Sequence, residues 1–139
     1  MEINLNRAIN LIEKKERKYK NERFAQYGLK SMHHDYLKTV QFHPGISQEE
    51  IAEEVVADKA NVARQLACLE KKGYITRHTC QKDSRRVEVY LTEAGKAVVQ
   101  ETKKVMDTMN EKLTEGINEE ESLIFNEILK KMMHNIENL

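Results

Sequence analysis

Between Ser47 and Thr92 the spacing of apolar residues switches once, from a period near 3.6 to a period of 2, and this switch constrains the fold more than any other feature of the chain. Ser47-Gln48-Glu49-Glu50 is a capping box: the serine hydroxyl accepts the Glu50 backbone N–H, and the Glu50 carboxylate reaches back to the Ser47 N–H. Ile51, Ala52, Val55 and Val56 then make a short amphipathic helix ending near Ala57. Asp58 caps a second helix, with Val62, Leu66 and Leu69 as its buried stripe and Ala60, Asn61, Arg64, Cys68 and Lys71 opposite. Gly73 closes that helix. Beyond it, Tyr74–Thr79 and Val87–Thr92 read as strands, since Val87, Val89 and Leu91 alternate with Glu88 and Tyr90. The polar stretch Cys80–Arg86 between them is a charged hairpin tip.

Long helices flank this middle. Leu5, Ala8, Ile9, Ile12 and Tyr19 give one helix over Asn4–Tyr27, ended by Gly28. Another over about Leu29–Phe42 buries some of Met32, Tyr36, Leu37 and Val40 and stops before His43-Pro44-Gly45. After the hairpin, Thr92 starts a helix carrying Ala94, Val98, Val105, Met109 and Leu113 on one face. Asn118, with Glu121 three residues on, starts the last, with Leu123, Ile128, Leu129, Met132, Ile136 and Leu139 as its stripe. The chain is expected to be mostly α with a small β-hairpin wing. One proline and five glycines among 139 residues are too few turn signals for an all-β fold.

The net charge is zero, but it is segmented. Residues 1–46 carry nine Lys or Arg against five Asp or Glu, and residues 47–57 carry none against four. Residues 58–90 carry eight against four, and residues 91–139 six against ten. A basic middle beside an acidic C-terminal third suits a protein that turns one face to a polyanion. No apolar run approaches a membrane span. The segment Met1-Glu2-Ile3-Asn4-Leu5 lacks the basic start and apolar stretch of a signal peptide, which predicts a cytoplasmic chain.

Two short helices with a tight turn form a helix-turn-helix, and the hairpin that follows makes the unit a winged helix. The second helix is long enough to lie in a major groove, and Ala60, Asn61, Arg64 and Gln65 on its first turns are small or polar enough to approach base edges. No Gly-rich phosphate loop, His-Glu-x-x-His or nucleophile elbow points to catalysis. No cofactor and no metal site are expected. His33 and His34 are adjacent on a helix, so their side chains diverge by about 100° and cannot chelate one ion; they read as ordinary surface histidines. His78 and Cys80 share a strand face without an evident third ligand. Cys80 lies near Arg77, Lys82 and Arg86, cations of the kind that activate a thiol, but nothing pairs it with Cys68.

From Leu29 to Gly95 the chain resembles the MarR family of bacterial winged-helix transcription regulators. The matching text is Gly45-Ile46-Ser47-Gln48-Glu49-Glu50-Ile51-Ala52, Asp58-Lys59-Ala60-Asn61-Val62-Ala63-Arg64 and Leu69-Glu70-Lys71-Lys72-Gly73-Tyr74-Ile75-Thr76-Arg77. Asp83-Ser84-Arg85-Arg86 then matches the family's Asp-x-Arg wing tip, followed by Leu91-Thr92-Glu93-Ala94-Gly95. The resemblance implies a homodimer that reads a pseudo-palindromic operator in double-stranded DNA, acting as a repressor under a small-molecule effector. It places Ser47 and Gln48 near phosphates, Lys59, Ala60, Asn61 and Arg64 in the major groove, and Arg85 in the minor groove with Asp83 bracing it. Lys82 and Arg86 would meet phosphates. Ala63 stands where members commonly have Thr, and Cys68 where they commonly have Arg; the N-terminal helix lacks the cysteine of the family's peroxide sensors.

One domain is therefore expected, with a winged helix over about 29–92 and dimerisation helices over about 1–28 and 93–139. The terminal stripes are too long to be buried on a small winged-helix core, so a partner subunit is expected to cover them. An effector pocket would draw on Tyr19, Phe24, His33 and Tyr36, residues that equally suit plain core. The competing readings are a winged-helix protein-interaction module with no DNA target, and a redox- or metal-responsive regulator of the same fold.

Overall fold

The structure is a computed structural model and describes residues 3–139; Met1 and Glu2, at the start of the segment expected to dimerise, lie outside the described residues. Two units divide the chain, residues 1–109 and 110–139.

In the first unit, Asn4 caps helix α1 (Leu5–Phe24), its side chain accepting the Arg7 N–H at 2.9 Å. A 3₁₀ turn (Ala25–Tyr27) follows, and Gly28 ends it with φ +71°, a left-handed conformation that costs glycine nothing. The expected second helix begins later than its apolar pattern suggested: α2 spans His33–Phe42. Leu29–Met32 instead form a turn, in which the Lys30 N–H donates to His33 Nδ1 at 2.9 Å. Next come strand β1 (Ile46–Ser47), α3 (Gln48–Val55), α4 (Lys59–Lys71), β2 (Ile75–Thr79), β3 (Val87–Leu91) and α5 (Glu93–Leu113).

The wing is a three-stranded antiparallel sheet in the order β1-β3-β2, not a two-stranded hairpin. Ile46 pairs with Val89 and Ser47 with Glu88, while Ile75–Thr79 pair with Leu91–Val87. A two-residue strand leaves no periodic trace in a sequence, so β1 was not to be seen there. The core lies beneath this sheet and between helices: Phe24, Leu37, Ile51, Val62, Leu66, Leu69, Ile75 and Val89 are fully buried. Each such side chain contributes about 1.5–3 kcal/mol by leaving water.

Helix α5 is locked to the base of β2. The Thr92 hydroxyl donates to the Gly73 carbonyl at 2.6 Å and accepts the Gly95 N–H at 3.0 Å. A Cβ at Gly95 would sit 2.0 Å from the Tyr74 carbonyl oxygen, so only glycine permits this approach. The buried face of α5 is Gly95, Val98, Val99, Thr102 and Met109; Ala94 and Leu113, expected on it, are exposed.

His33 and His34 are also buried, which corrects their reading as surface residues. His33 Nε2 lies 2.8 Å from Gln65 Oε1 on α4, and His34 Nδ1 lies 2.7 Å from Thr102 Oγ1 on α5. The apolar residues of the first half of α1, by contrast, are open: Leu5, Ile9 and Ile12 are all exposed in the single chain.

In the second unit, Asn118 and Glu121 form a capping box that starts α6 (Glu119–Glu137). Leu123, Ile128, Leu129 and Ile136 of that helix are exposed. No helix among the described residues is long and apolar enough to cross a membrane.

Burial holds the pKa of both His33 and His34 below the ordinary 6.5. The unfolded chain therefore binds these protons more readily than the folded one. The stability contributed by the neutral rings is complete above about pH 6.5 and is lost as the pH falls through the depressed folded values. Glu50 and Glu70, whose carboxyls are held below 4.5, act only at lower pH. The urea midpoint is expected to fall between about pH 7 and 5; a flat midpoint would show that the folded rings take up protons freely.

Candidate nucleic-acid interface

Two caps and a tight turn present helix α4. Ser47 Oγ accepts the Glu50 N–H at 3.1 Å, and Glu50 Oε1 accepts the Ser47 N–H at 3.3 Å, as the capping box required. The turn into α4 passes through Val56 at φ +53°, the one described non-glycine residue with positive φ. Asp58 Oδ1 then accepts the Asn61 N–H at 2.8 Å and starts the helix. With Val62, Leu66 and Leu69 facing the core, Ala60 and Arg64 stand exposed and Asn61 is half-buried. Arg64 makes no ion pair or side-chain hydrogen bond with the described residues.

The wing tip is shaped by its own backbone. Asp83 Oδ1 accepts the Arg85 N–H at 3.0 Å and lies 3.7 Å from Arg85 Nε. Asp83 thus braces Arg85 locally, while the arginine side chain remains 94% exposed. Lys82 is exposed as well, with no ion partner among the described residues.

Arg86 differs from expectation. Its guanidinium lies 2.6 Å from Glu50 Oε1 and 3.8 Å from Glu88, and it donates to the Gly45 carbonyl at 3.3 Å. It is a strut between wing and α3 rather than a free cation. The Ser47 hydrogen bond, and then Arg86, hold the Glu50 carboxyl below the usual carboxylate range. Glu50 in turn raises the Arg86 pKa.

A second strut was missed in the sequence. Arg77 on β2 donates from its backbone N–H to Glu70 Oε2 at 3.1 Å and from its guanidinium to Glu70 Oε1 at 3.0 Å. Its other terminal nitrogen donates to Gln48 Oε1 at 3.0 Å, so one arginine joins α3, α4 and β2. The Arg77 hydrogen bond holds Glu70 in the charged form. Glu70 seven residues before an arginine, across a glycine-closed helix end, was the only signal available.

Six of the residues singled out from sequence, Ser47, Gln48, Lys59, Asp83, Arg85 and Arg86, line one cleft of about 450 Å³ between the starts of α3 and α4 and the wing. Lys59 spans part of it, 3.2 Å from Glu49 Oε1. Gln65 stands apart: its carboxamide is turned toward His33 and Asn61 rather than outward. Of the candidates for an effector pocket, Phe24, His33 and Tyr36 are core residues, and Tyr19 is half-buried beneath the Arg23 guanidinium, 3.4 Å from its ring centre. Cys68 and Cys80 are both free thiols. Among the described residues no group of three His, Cys, Asp or Glu lies close enough to hold a metal ion.

The comparisons with known proteins agree with this geometry. The model of the MarR family matches residues 29–87, from the approach to α2 through the first residue of β3. The chain is 31% identical over 98 residues to the transcriptional regulator HosA of Escherichia coli O127:H6 (strain E2348/69 / EPEC), an alignment covering 70% of this chain and 73% of that protein. Among solved structures, the transcriptional regulator SlyA superposes with a TM-score of 0.92 at 28% identity, covering 98% of this chain and 96% of that one. The S. aureus MepR–DNA complex gives 0.92 at 23% identity, over 97% and 99% of the two chains, a likeness of fold. This chain is a member of the MarR family of transcription regulators, not an enzyme.

Proposed function

We propose that the chain binds double-stranded DNA as a homodimer, reads a pseudo-palindromic operator, and acts as a repressor released by a small-molecule effector. The observation that carries this reading is the set of exposed cations on a braced frame. Arg64 on α4 and Lys82 on the wing have no ion partner among the described residues, and Arg85, braced by Asp83, keeps its side chain exposed, while Arg77 ties β2 to α3 and α4 and Arg86 ties the wing to α3. Exposed cations on a groove-sized helix and at a hairpin tip suit a polyanion better than a protein partner. The fold shared with MepR, whose solved structure is a complex with DNA, supports the same reading. Effector release follows from the family likeness alone.

On this reading α4 enters the major groove and Ala60, Asn61 and Arg64 face base edges. The wing tip reaches the neighbouring minor groove, where Arg85 meets the negative potential of narrow A·T-rich steps. Lys59 stands with these α4 residues in the major groove, while Lys82 faces phosphates, and so does Gln48 through the amide nitrogen that Arg77 leaves free. The domain plan is a winged helix over about 29–92 with helices on either side that dimerise. Leu5, Ile9 and Ile12 on α1, and separately Leu123 and Ile136 on α6, need cover that one chain does not give them.

Sedimentation equilibrium at micromolar concentration is expected to give twice the 16.3 kDa chain mass; a folded species at the single-chain mass would end the dimer reading. Arg64→Ala should cost about 1–3 kcal/mol on the operator and much less on random DNA. Equal losses on both would make Arg64 a phosphate contact. Arg85→Ala is expected to weaken sites with A·T-rich flanks more than sites with G·C-rich flanks, whereas Lys82→Ala should weaken all sites alike and flatten the salt dependence. Binding at fixed salt on paired operators separates the two, and an Arg85 effect blind to the flanks would remove the minor-groove role.

A further inference from the structure

We infer that a hydrogen-bond relay starting in the core fixes the amide of Asn61 in one orientation, so that this residue meets the bases with its donors free and its acceptor already engaged. The inference rests on α4 being the DNA-reading helix, and it adds His33 and Gln65 as positioning residues for specificity.

The relay is read one polarity at a time. The Lys30 backbone N–H points at His33 Nδ1, 2.9 Å away. A backbone N–H only donates, so Nδ1 must carry the lone pair. His33 is 1% exposed, and burial keeps its ring neutral near neutral pH. A neutral imidazole with a bare Nδ1 carries its proton on Nε2. That N–H lies 2.8 Å from the Gln65 carboxamide and must be met by its oxygen, Oε1. Gln65 then has only its NH₂ to turn toward Asn61, 3.4 Å away, where it meets Oδ1. Asn61 is left with its Nδ2 hydrogens, which have no partner among the described residues. Each step follows from the one before, and the first is set by a main-chain group whose polarity cannot reverse.

The consequence is a base preference. An unrestrained asparagine pairs with adenine, donating to N7 and accepting from the N6 amino group. With Oδ1 engaged by Gln65, the accepting half of that pair is weakened. Donors alone match edges that offer acceptors, and guanine presents two side by side, N7 and O6. Asn61 in this chain therefore favours guanine over adenine and disfavours cytosine, whose major-groove edge presents a donor. The bond to Gln65 would satisfy the buried His33 imidazole in any case. A packing role of that kind does not shift the base chosen at one position, and the relay does.

The test is selection of bound sequences from random DNA by the full chain at fixed salt, with binding ratios measured on single-base variants. Asn61→Ala should flatten the preference at one position of each half-site and so identify it. There the native chain is expected to prefer guanine over adenine by about five- to tenfold. Gln65→Met cuts the relay and should move that position toward adenine. Gln65→Glu gives Asn61 an acceptor in place of a donor, which reverses the amide and moves the preference toward bases that present a donor. Its added charge weakens all sequences alike, so the ratio is the readout. Retention of the native preference in both Gln65 variants, or no single position flattened by Asn61→Ala, overturns the relay while leaving DNA reading intact. A native chain that selects no sequence overturns both. A further measurement needs neither variant nor DNA: the imidazole nitrogen shifts of His33 should show a protonated Nε2 and a bare Nδ1, and a proton on Nδ1 breaks the relay at its first step.

Discussion

Two elements that read one surface are useful only at a fixed spacing, and in this chain the spacing depends on the Glu50 carboxylate. One oxygen accepts the Ser47 N–H as the return half of the α3 capping box and also receives Arg86 from the wing. The same ion therefore starts the first helix of the helix-turn-helix and anchors the last residue of the hairpin tip. Both partners are partly open to water, where an ion pair is worth about 0–1 kcal/mol. Its importance is geometric. Arg77 supplies the complementary tie, joining Gln48 at the start of α3, Glu70 near the end of α4, and β2. With one strut at each end, the hairpin has little freedom to swing against α4.

These ties divide the charges of the basic middle into two kinds. Arg77 and Arg86 are bound to carboxylates of the same unit, and Lys59 leans on Glu49. Arg64, Lys82 and the tip of Arg85 remain outward. A count of cations along the chain cannot make this division, because the partners lie 36 residues away for Arg86 and 29 for the Gln48 contact of Arg77. Arg86, expected at a phosphate, is tied to Glu50 for that reason, whereas Arg64 and Lys82 are exposed and form no ion pair with the described residues.

Local rules of short range were the legible part. The Ser47 and Asn118 capping boxes, the Asp58 cap, the Val62/Leu66/Leu69 stripe and the turn at Gly28 each depend on residues within four or so positions, and each forms as read. The family pattern from Leu29 to Gly95 placed the fold as a whole. Features that depend on distant partners were not legible. Strand β1 exists because β3 offers it an edge, and α2 starts at His33 because a ring from its first turn takes the Lys30 N–H. The same holds for the two buried histidines. His33-His34 reads as polar surface until α4 and α5 are laid against α2.

Those adjacent histidines also explain how three helices keep one mutual arrangement. The apolar contacts of Leu37, Val40, Leu66 and Val99 favour burial but allow small rotations and slides at little cost, since dispersion contacts are individually weak. A buried imidazole tolerates no such slide, because a lost hydrogen bond in the core costs about 1–3 kcal/mol. Successive helical residues diverge by about 100°, so His33 and His34 necessarily address different neighbours. One meets Gln65 on the helix that carries Arg64, and the other meets Thr102 on α5, whose hydroxyl passes the bond on to the Val99 carbonyl at 3.2 Å. Helix α2 thereby sets the rotation of α4 and of α5 from a single turn. A displacement of α5 that broke the His34 bond would leave buried polar atoms unpaired, a cost that apolar packing alone does not impose. The polar pair, rather than the larger apolar area around it, ties both α4 and α5 to one turn of α2.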